Sequence, residues 1–372
     1  MQTRVRLLLV AMLAATGTAH AAPRYVAVPL APPSAWVFAT AINSQGAITG
    51  GMLEGGIGGH RVVFVHTGST LVNLGSVPNR LFSDGMAINP SGRVVGTAFG
   101  FGVGEDEAII ERDGAMQPLD PSPTRTSRAT GINASGRVVG AAGTLNRETA
   151  FLWADGVAHD LGTLGGVFSI ANGINASGEI CGESSSSTTS TYHRRAFFYV
   201  DGRMTDLGGL PGFLESGATA INDAGQIVGY SFGPTFEVSA VMFWRGEVRE
   251  LGRGSFALGI NGLGHVVGGS HATGVPFGIV AFLHDGSKMH DLNALVVSGL
   301  DGRVLNAAVG INDRGQIVAY SEGIPTMSFR LDPLPEPPVF VVSTLSGWSI
   351  AITCLLLILT TATRRRARIM RP

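Results

Sequence analysis

One phrase recurs along this chain and limits what the chain can fold into. It reads "AINSQGAITG", "AINPSGRVVG", "GINASGRVVG", "GINASGEICG", "AINDAGQIVG", "GINGLGHVVG" and "GINDRGQIVA". The seven asparagines, Asn43, Asn89, Asn133, Asn175, Asn222, Asn261 and Asn312, stand 46, 44, 42, 47, 39 and 51 residues apart. A constant unit with variable connections follows, and that period marks an array of supersecondary units. Asn favours the first position of a type I turn, where its side chain bonds the following backbone; Gly suits the fourth, where φ is positive. The phrase is therefore a hairpin.

A second hairpin follows in each unit, as in "AFLWADGVAHDLG" from Ala150, "AFFYVDGRMTDLG" from Ala196 and "AFLHDGSKMHDLN" from Ala281. Asp-Gly between apolar runs is a two-residue turn signal. Each unit thus holds four short strands, a to d in chain order, in about 44 residues, the size of one propeller blade. Strand d is marked by Leu74, Leu119, Leu161, Leu207, Leu251 and Leu292, but the seventh unit stops near Phe329 without one. The missing strand is "RYVAVPL", residues 24–30, at the other end of the chain.

The expected fold is all-β: a seven-bladed β-propeller of four-stranded blades over residues 24–332, its ring closed by the N-terminal strand pairing into the last blade. Closure removes two edges that would otherwise template aggregation. Two residues before each Asn stand Ala41, Ala87, Gly131, Gly173, Ala220, Gly259 and Gly310, small as converging innermost strands require. Gly50, Gly96, Gly140, Gly182, Gly229 and Gly268 imply close packing one strand further out. Phe64, Phe151, Trp153, Phe197, Phe243, Trp244, Phe282 and Phe329 on strand c are expected to fill the core.

The ends carry a different message. Residues 1–21 combine Arg4 and Arg6, the run "LLLVAMLAA" and "AHA", the plan of a secretory signal peptide. Pro335, Glu336 and Pro337 sit in a linker, 333–338, before an uncharged stretch, 339–363, long enough for a single transmembrane helix. The Arg-rich tail, 364–372, would remain cytoplasmic. Seven arginines lie in these ends; without them the 26 basic residues of the chain fall to 19 against 27 acidic ones. Such a body is a poor partner for nucleic acid, whose binding is dominated by phosphate neutralisation.

The terminal Pro-Glu-Pro, apolar span and Arg cluster resemble a PEP-CTERM sorting signal. That resemblance implies an exosortase-like protease as processing partner, with the propeller held at the inner membrane on its periplasmic side and then released to the cell surface or extracellular matrix. The repeats resemble the HAF family of extracellular repeat proteins, and "TAFLWADGVAHDLGTLGGVFSIANGINASGEICG" from Thr149 follows that pattern closely. The namesake His is replaced by Thr149, Arg195 and Val280. The family label implies export and no established activity.

Catalytic signatures are sparse. Nine histidines have no metal-ligand spacing, so no metal or other cofactor is expected, and Asp223 and Asp313 beside the turn read as turn chemistry. Cys181 reads as a small buried apolar residue. If strands alternate in direction, the tight Asn-Gly and Asp-Gly turns share one face and the long, varied connections, such as residues 51–60, 76–84, 183–195 and 294–306, share the other as loops. Binding residues concentrate on such loops. Tyr192, His193, Arg194, Phe213, Glu215, Phe236, His271 and Asp301 are the candidates there. The expected role is non-catalytic: presenting this loop face to a polysaccharide or a surface protein. The alternative is a polysaccharide-active enzyme, glycosidase or lyase, using two of Glu105, Glu183, Glu215, Glu237, Asp301 and Glu322.

Overall fold

A computed structural model describes residues 23–55, 59–100, 105–119, 126–144, 147–186, 193–271, 278–323 and 326–335. The signal peptide, the apolar span, the Arg-rich tail, Tyr192, Glu336 and Pro337 lie outside these residues. Among the described residues no helix is long and apolar enough to cross a membrane.

The described strands form four-stranded antiparallel sheets, one to each repeat. In residues 126–162, strands a to d are Thr126–Ile132, Val138–Thr144, Arg147–Ala154 and Val157–Gly162, each paired to the next. Residues 169–208, 215–253 and 255–291 repeat this order. Residues 37–75 and 82–118 do so too, and one parallel bridge from Arg61 to Phe82 joins them. The last unit takes strands a to c from Ala307–Ile311, Ile317–Ser321 and Met327–Pro333. Its fourth strand is Tyr25–Pro29, in antiparallel register from Tyr25 opposite Pro333 to Pro29 opposite Phe329.

The turns form for the reasons their residues suggest. Asn43 Oδ1 accepts the N–H groups of Gln45 at 3.0 Å and Ala47 at 2.9 Å, and Gly46 has φ 81°. In the second hairpin Asp155 and Gly156 both have positive φ, 52° and 82°, as a two-residue turn matched to strand twist requires. The Asp-Leu-Gly ending also has a local cause: Asp160 Oδ1 accepts the N–H of Gly162 at 2.8 Å, where φ is 75° and the register shifts.

Every strand a carries a bulge at the same place, three residues before its Asn. The register skips Thr40, Met86, Thr130, Asn172, Thr219, Leu258 and Val309. The bulge pushes the carbonyl two residues earlier against strand b. A Cβ on Gly140 would lie 1.8 Å from the Arg128 oxygen, and one on Gly229 would lie 1.9 Å from the Gly217 oxygen. The recurrent strand-b glycine therefore makes room for its own sheet's bulge, which is more specific than close packing between neighbouring strands.

The asparagines do more than hold their own turns. Asn43 Nδ2 donates to the Asn89 carbonyl at 2.8 Å, and Asn89, Asn133, Asn175, Asn222 and Asn261 donate onward to the next Asn at 3.3, 3.1, 3.2, 2.9 and 3.1 Å. Asn312 returns to the Asn43 carbonyl at 3.1 Å. The bonds make a closed cycle through side chains that are all buried.

Three expectations need correction. Two of the leucines read as strand d lie off it: Leu119 falls just past Ala115–Pro118, and where Leu292 stands, strand d has only Met289–Asp291, and Asp291 accepts the Asn293 N–H at 2.9 Å to start one helical turn, Leu292–Leu295. Residues 294–306, read as an exposed loop, continue into Val296–Ser298, which pairs in parallel with the closing strand and covers its edge. Leu292, Leu295 and Leu305 are buried. The strand-c phenylalanines are buried as expected, but Trp244 is 41% exposed. It ends its strand at a tight turn, with the Arg245 guanidinium 4.5 Å above its ring. Trp153 is half-buried.

Two stability measurements follow. Deleting residues 24–30 exposes both the Met327–Pro333 edge and the Val296–Ser298 edge, so melting should drop and concentration-dependent association appear in light scattering. Asn222→Ala removes one acceptor for the turn and one bridge to the next unit; chemical denaturation should show a loss of about 1–3 kcal/mol.

Candidate functional site

The two faces of the array differ in what they leave free. On the turn face a cavity of about 280 Å³ is ringed by the Ile-Asn pairs of the seven repeats. Here each repeat asparagine gives one amide N–H to the cycle, and the second N–H of Asn175, Asn222 and Asn312 goes to Glu179, Gln226 and Gln316 at 2.6, 2.8 and 3.0 Å. Asp223 and Asp313 accept the N–H groups of Ala176 at 2.9 Å and Gly262 at 2.7 Å from the preceding unit. They join neighbouring turns as well as occupying their own.

Toward the varied loops the inner strands enclose a cavity of about 660 Å³, lined by the bulge residue of every unit. That volume lies within the usual range for small-molecule sites. The polar bulge side chains are turned sideways. Thr219 Oγ1 reaches the Val228 and Ala257 carbonyls at 3.0 and 2.9 Å, and Thr130 Oγ1 makes the same pair of contacts with Val139 and Ala171. Thr40 does likewise with Thr49 and Gly85, and Asn172 Nδ2 reaches the Ala218 carbonyl at 2.8 Å. With these donors committed to the backbone and Met86, Leu258 and Val309 alongside, the wall is mainly apolar. Phe38, Tyr320 and Glu322 stand toward its loop-side end.

One tier nearer the loops stand charged pairs, some within one unit and some joining neighbours. Arg61 contacts Asp84 at 2.7 Å and lies 5.7 Å from the Phe82 and Phe99 ring centroids. Arg128 pairs with Glu148. Glu183 takes Arg194 at 3.2 Å and the Tyr230 hydroxyl at 2.8 Å, and the Arg194 guanidinium sits 4.8 Å over the Phe168 ring. Burial pushes the Tyr230 phenol up, and the charges of Glu183 and Glu215 push it further. Gly217 admits this ring, since a Cβ there would come within 2.6 Å of it. Burial raises Asp84 as well, against the pull of Arg61.

The residues picked from sequence are only partly brought together. Arg194 and Glu215, first residues of strands Arg194–Val200 and Glu215–Ile221, both act by their charge on Tyr230, and Arg194 pairs with the Glu183 that accepts its hydroxyl. His193 is exposed beside Arg194. Phe213 is half-buried, and Phe236, 83% exposed at φ 65°, meets only Phe232 edge-on at 6.1 Å. His271 ends strand Val266–His271, and Asp301 lies exposed in an Asp-Gly turn at φ 50°. Of the loop-face carboxylates, Glu322 lines the cavity, and Glu183 and Glu215 both act on Tyr230. Sequence reasoning missed Tyr230 and all seven bulge residues. A signal existed: three positions before each Asn, larger or polar residues interrupt small ones.

No family model matches this chain, and no curated protein does. Among solved structures it is similar to YCF48 bound to D1 peptide, at 11% identity over 84% of this chain and 97% of that one, with a TM-score of 0.48. TolB from Acinetobacter baumannii gives 11% identity over 84% of this chain and 65% of that one, TM-score 0.44. A puromycin-hydrolyzing peptidase of Mycobacterium tuberculosis gives 12% identity over 61% and 39%, TM-score 0.43. The chain thus spans less than two thirds of the length of the latter two.

The sideways threonines generate a measurement. Thr219→Val keeps the shape and removes the bridge between two units, so urea unfolding should show a loss of about 0.5–1.5 kcal/mol. An unchanged midpoint would mean the hydroxyl does not join them.

Proposed function

We propose that residues 24–332 are a closed seven-bladed β-propeller of HAF-type repeats whose loop face binds a polysaccharide or protein of the cell surface or extracellular matrix, without catalysis. The observation that carries this reading is the asymmetry between the faces. On the turn face every repeat asparagine is tied to the next by the hydrogen-bonded cycle around a smaller cavity. The loop face holds the wider cavity, a tier of charged and aromatic side chains and the varied connections. Rigid frame with variable loops is the usual layout of a binding module.

In this reading the sequence ends supply the address. The signal peptide exports the body, the apolar span 339–363 holds it at the membrane, and an exosortase-like protease cuts near Pro335. Mass spectrometry of the secreted form should then find an N terminus near Ala22 and a C terminus near the Pro-Glu-Pro motif. A full-length chain at the cell surface would remove the protease from the account.

A second reading has one observation in its favour: the Glu183 carboxylate accepts the Tyr230 hydroxyl of the next unit at 2.8 Å, and the Glu215 charge acts on the same phenol. Paired carboxylates are what glycoside hydrolysis needs. One experiment addresses both readings. The full-length protein is mixed with the host's extracellular polysaccharide, and both retention and released oligosaccharides are measured. The binding reading expects saturable retention without products, weakened at least tenfold by Arg194→Ala and untouched by Asp223→Asn on the opposite face. Oligosaccharide products abolished by Glu183→Gln would replace it with the enzyme. Retention equally lost with Asp223→Asn would refute the loop face as the site.

A further inference from the structure

The 660 Å³ cavity has a chemical bias that its size alone does not reveal. Among the described residues no lysine, arginine or histidine lines it. The four threonine hydroxyls, the Ser328 hydroxyl and the Asn172 amide N–H already serve backbone carbonyls. What remains in the wall is mainly acceptor in character, with the Tyr320 hydroxyl able both to donate and to accept. Among the described residues Asn172 Oδ1 receives no hydrogen bond and the Glu322 carboxylate makes neither a hydrogen bond nor an ion pair, while its backbone N–H is held by Asn306 at 2.6 Å. Tyr320 stands beside it, and burial together with the Glu322 charge raises its phenol. The arginines of the tier above are each paired with a carboxylate, Arg61 with Asp84, Arg128 with Glu148 and Arg194 with Glu183. Among the described residues they leave the Glu322 charge uncompensated.

A ligand matched to these walls needs a donor-rich positive head for Glu322 and an apolar body for Met86, Leu258 and Val309. The rings of Phe38 and Tyr320 at the same end offer the π faces that also attract cations. An anion would meet Glu322 with no counter-charge in the cavity. A sugar would meet methyl groups where it needs donors and acceptors.

We propose that this cavity is a site for an alkylammonium group, either a free aliphatic amine or a lysine side chain presented by a partner. The assignment rests on the loop face being the binding face and names the chemistry that face selects. It also accounts for Thr at three bulge positions where Ser would fit: the methyl group keeps the wall apolar while the hydroxyl joins the units.

The test is calorimetry on the full-length chain in lipid nanodiscs, which keep detergent out of the cavity. The probes are n-hexylammonium, n-hexanol, n-hexanoate and a blocked Gly-Lys-Gly peptide. Hexylammonium should bind at one site, at least tenfold tighter than hexanol, with hexanoate weaker still. Glu322→Gln should erase that preference without changing the melting temperature, because the Glu322 side chain holds nothing in place. Leu258→Trp, which fills the cavity, should abolish binding of both hexyl ligands. Tighter binding of the lysine peptide would assign the site to a protein partner, and tighter binding of hexylammonium to a free amine. Absence of hexylammonium binding, equal affinity for hexanol, or indifference to Glu322→Gln would each overturn the proposal. Should polysaccharide retention persist in the same preparation while hexylammonium fails, the cavity assignment falls alone. If retention fails too, the loop-face reading falls with it.

Discussion

The structure depends on one side chain doing two things at once. The carboxamide of Asn offers an acceptor and two donors. Its oxygen holds the turn that ends strand a, while its nitrogen reaches the carbonyl of the next turn, from Asn43 to Asn89 and round through Asn312 back to Asn43. Aspartate could hold the turn but has no donor for the neighbour, and serine lacks the second group. Because the local bond and the lateral bond share one residue, each unit is fixed to the next by its own hairpin. Connections elsewhere can then vary, and the asparagines range from 39 to 51 residues apart. Such buried amides must be satisfied, so the cycle is demanding of geometry as well as stabilising.

What is fixed at the turns sets what is available at the other end. Three residues upstream of each Asn the bulge turns one side chain per unit toward the axis, and its identity decides whether it joins units or lines the bore. Thr40, Thr130, Thr219 and Asn172 do both. Met86, Leu258 and Val309 only line it. The same bulge forces glycine onto strand b, as at Gly229 under the Gly217 carbonyl, so a requirement of the scaffold explains a sequence feature that looks like packing between strands. Function, in this account, is the residue of freedom left where the scaffold's demands stop: the varied connections, the tier around Tyr230 and the unpaired Glu322.

The sequence was most informative where one residue type has one physical use. Asn and Gly at turn positions, Asp-Gly between apolar runs and the orphan "RYVAVPL" strand gave the hairpins and their closing partner, and Tyr25–Pro29 pairs as that reading requires. The lateral asparagine bonds were hidden because turn chemistry already accounts for the residue. Residues 294–306 carry apolar residues but no strand alternation that marks a partner, and the pairing of Val296 with Tyr25 shows that they cover an edge. The meeting of Glu183 and Tyr230, 47 positions apart on different units, follows from the alignment of neighbouring sheets and has no local mark. Trp244 misled for the opposite reason: an aromatic on an otherwise buried strand lies one residue too far along it.

The central claim is that first and last strands meet to close the array, and a cross-link across that seam tests it most directly. Val28→Cys and Arg330→Cys, introduced with Cys181 and Cys354 replaced by alanine, place two thiols on residues directly opposite in register, at a separation that a disulfide spans without backbone movement. Mild oxidation should give a monomer with one internal bond and a raised melting temperature. A chain that stays reduced, or that links only to other molecules, would contradict closure and with it the cycle of asparagines on which the rest of the structure stands.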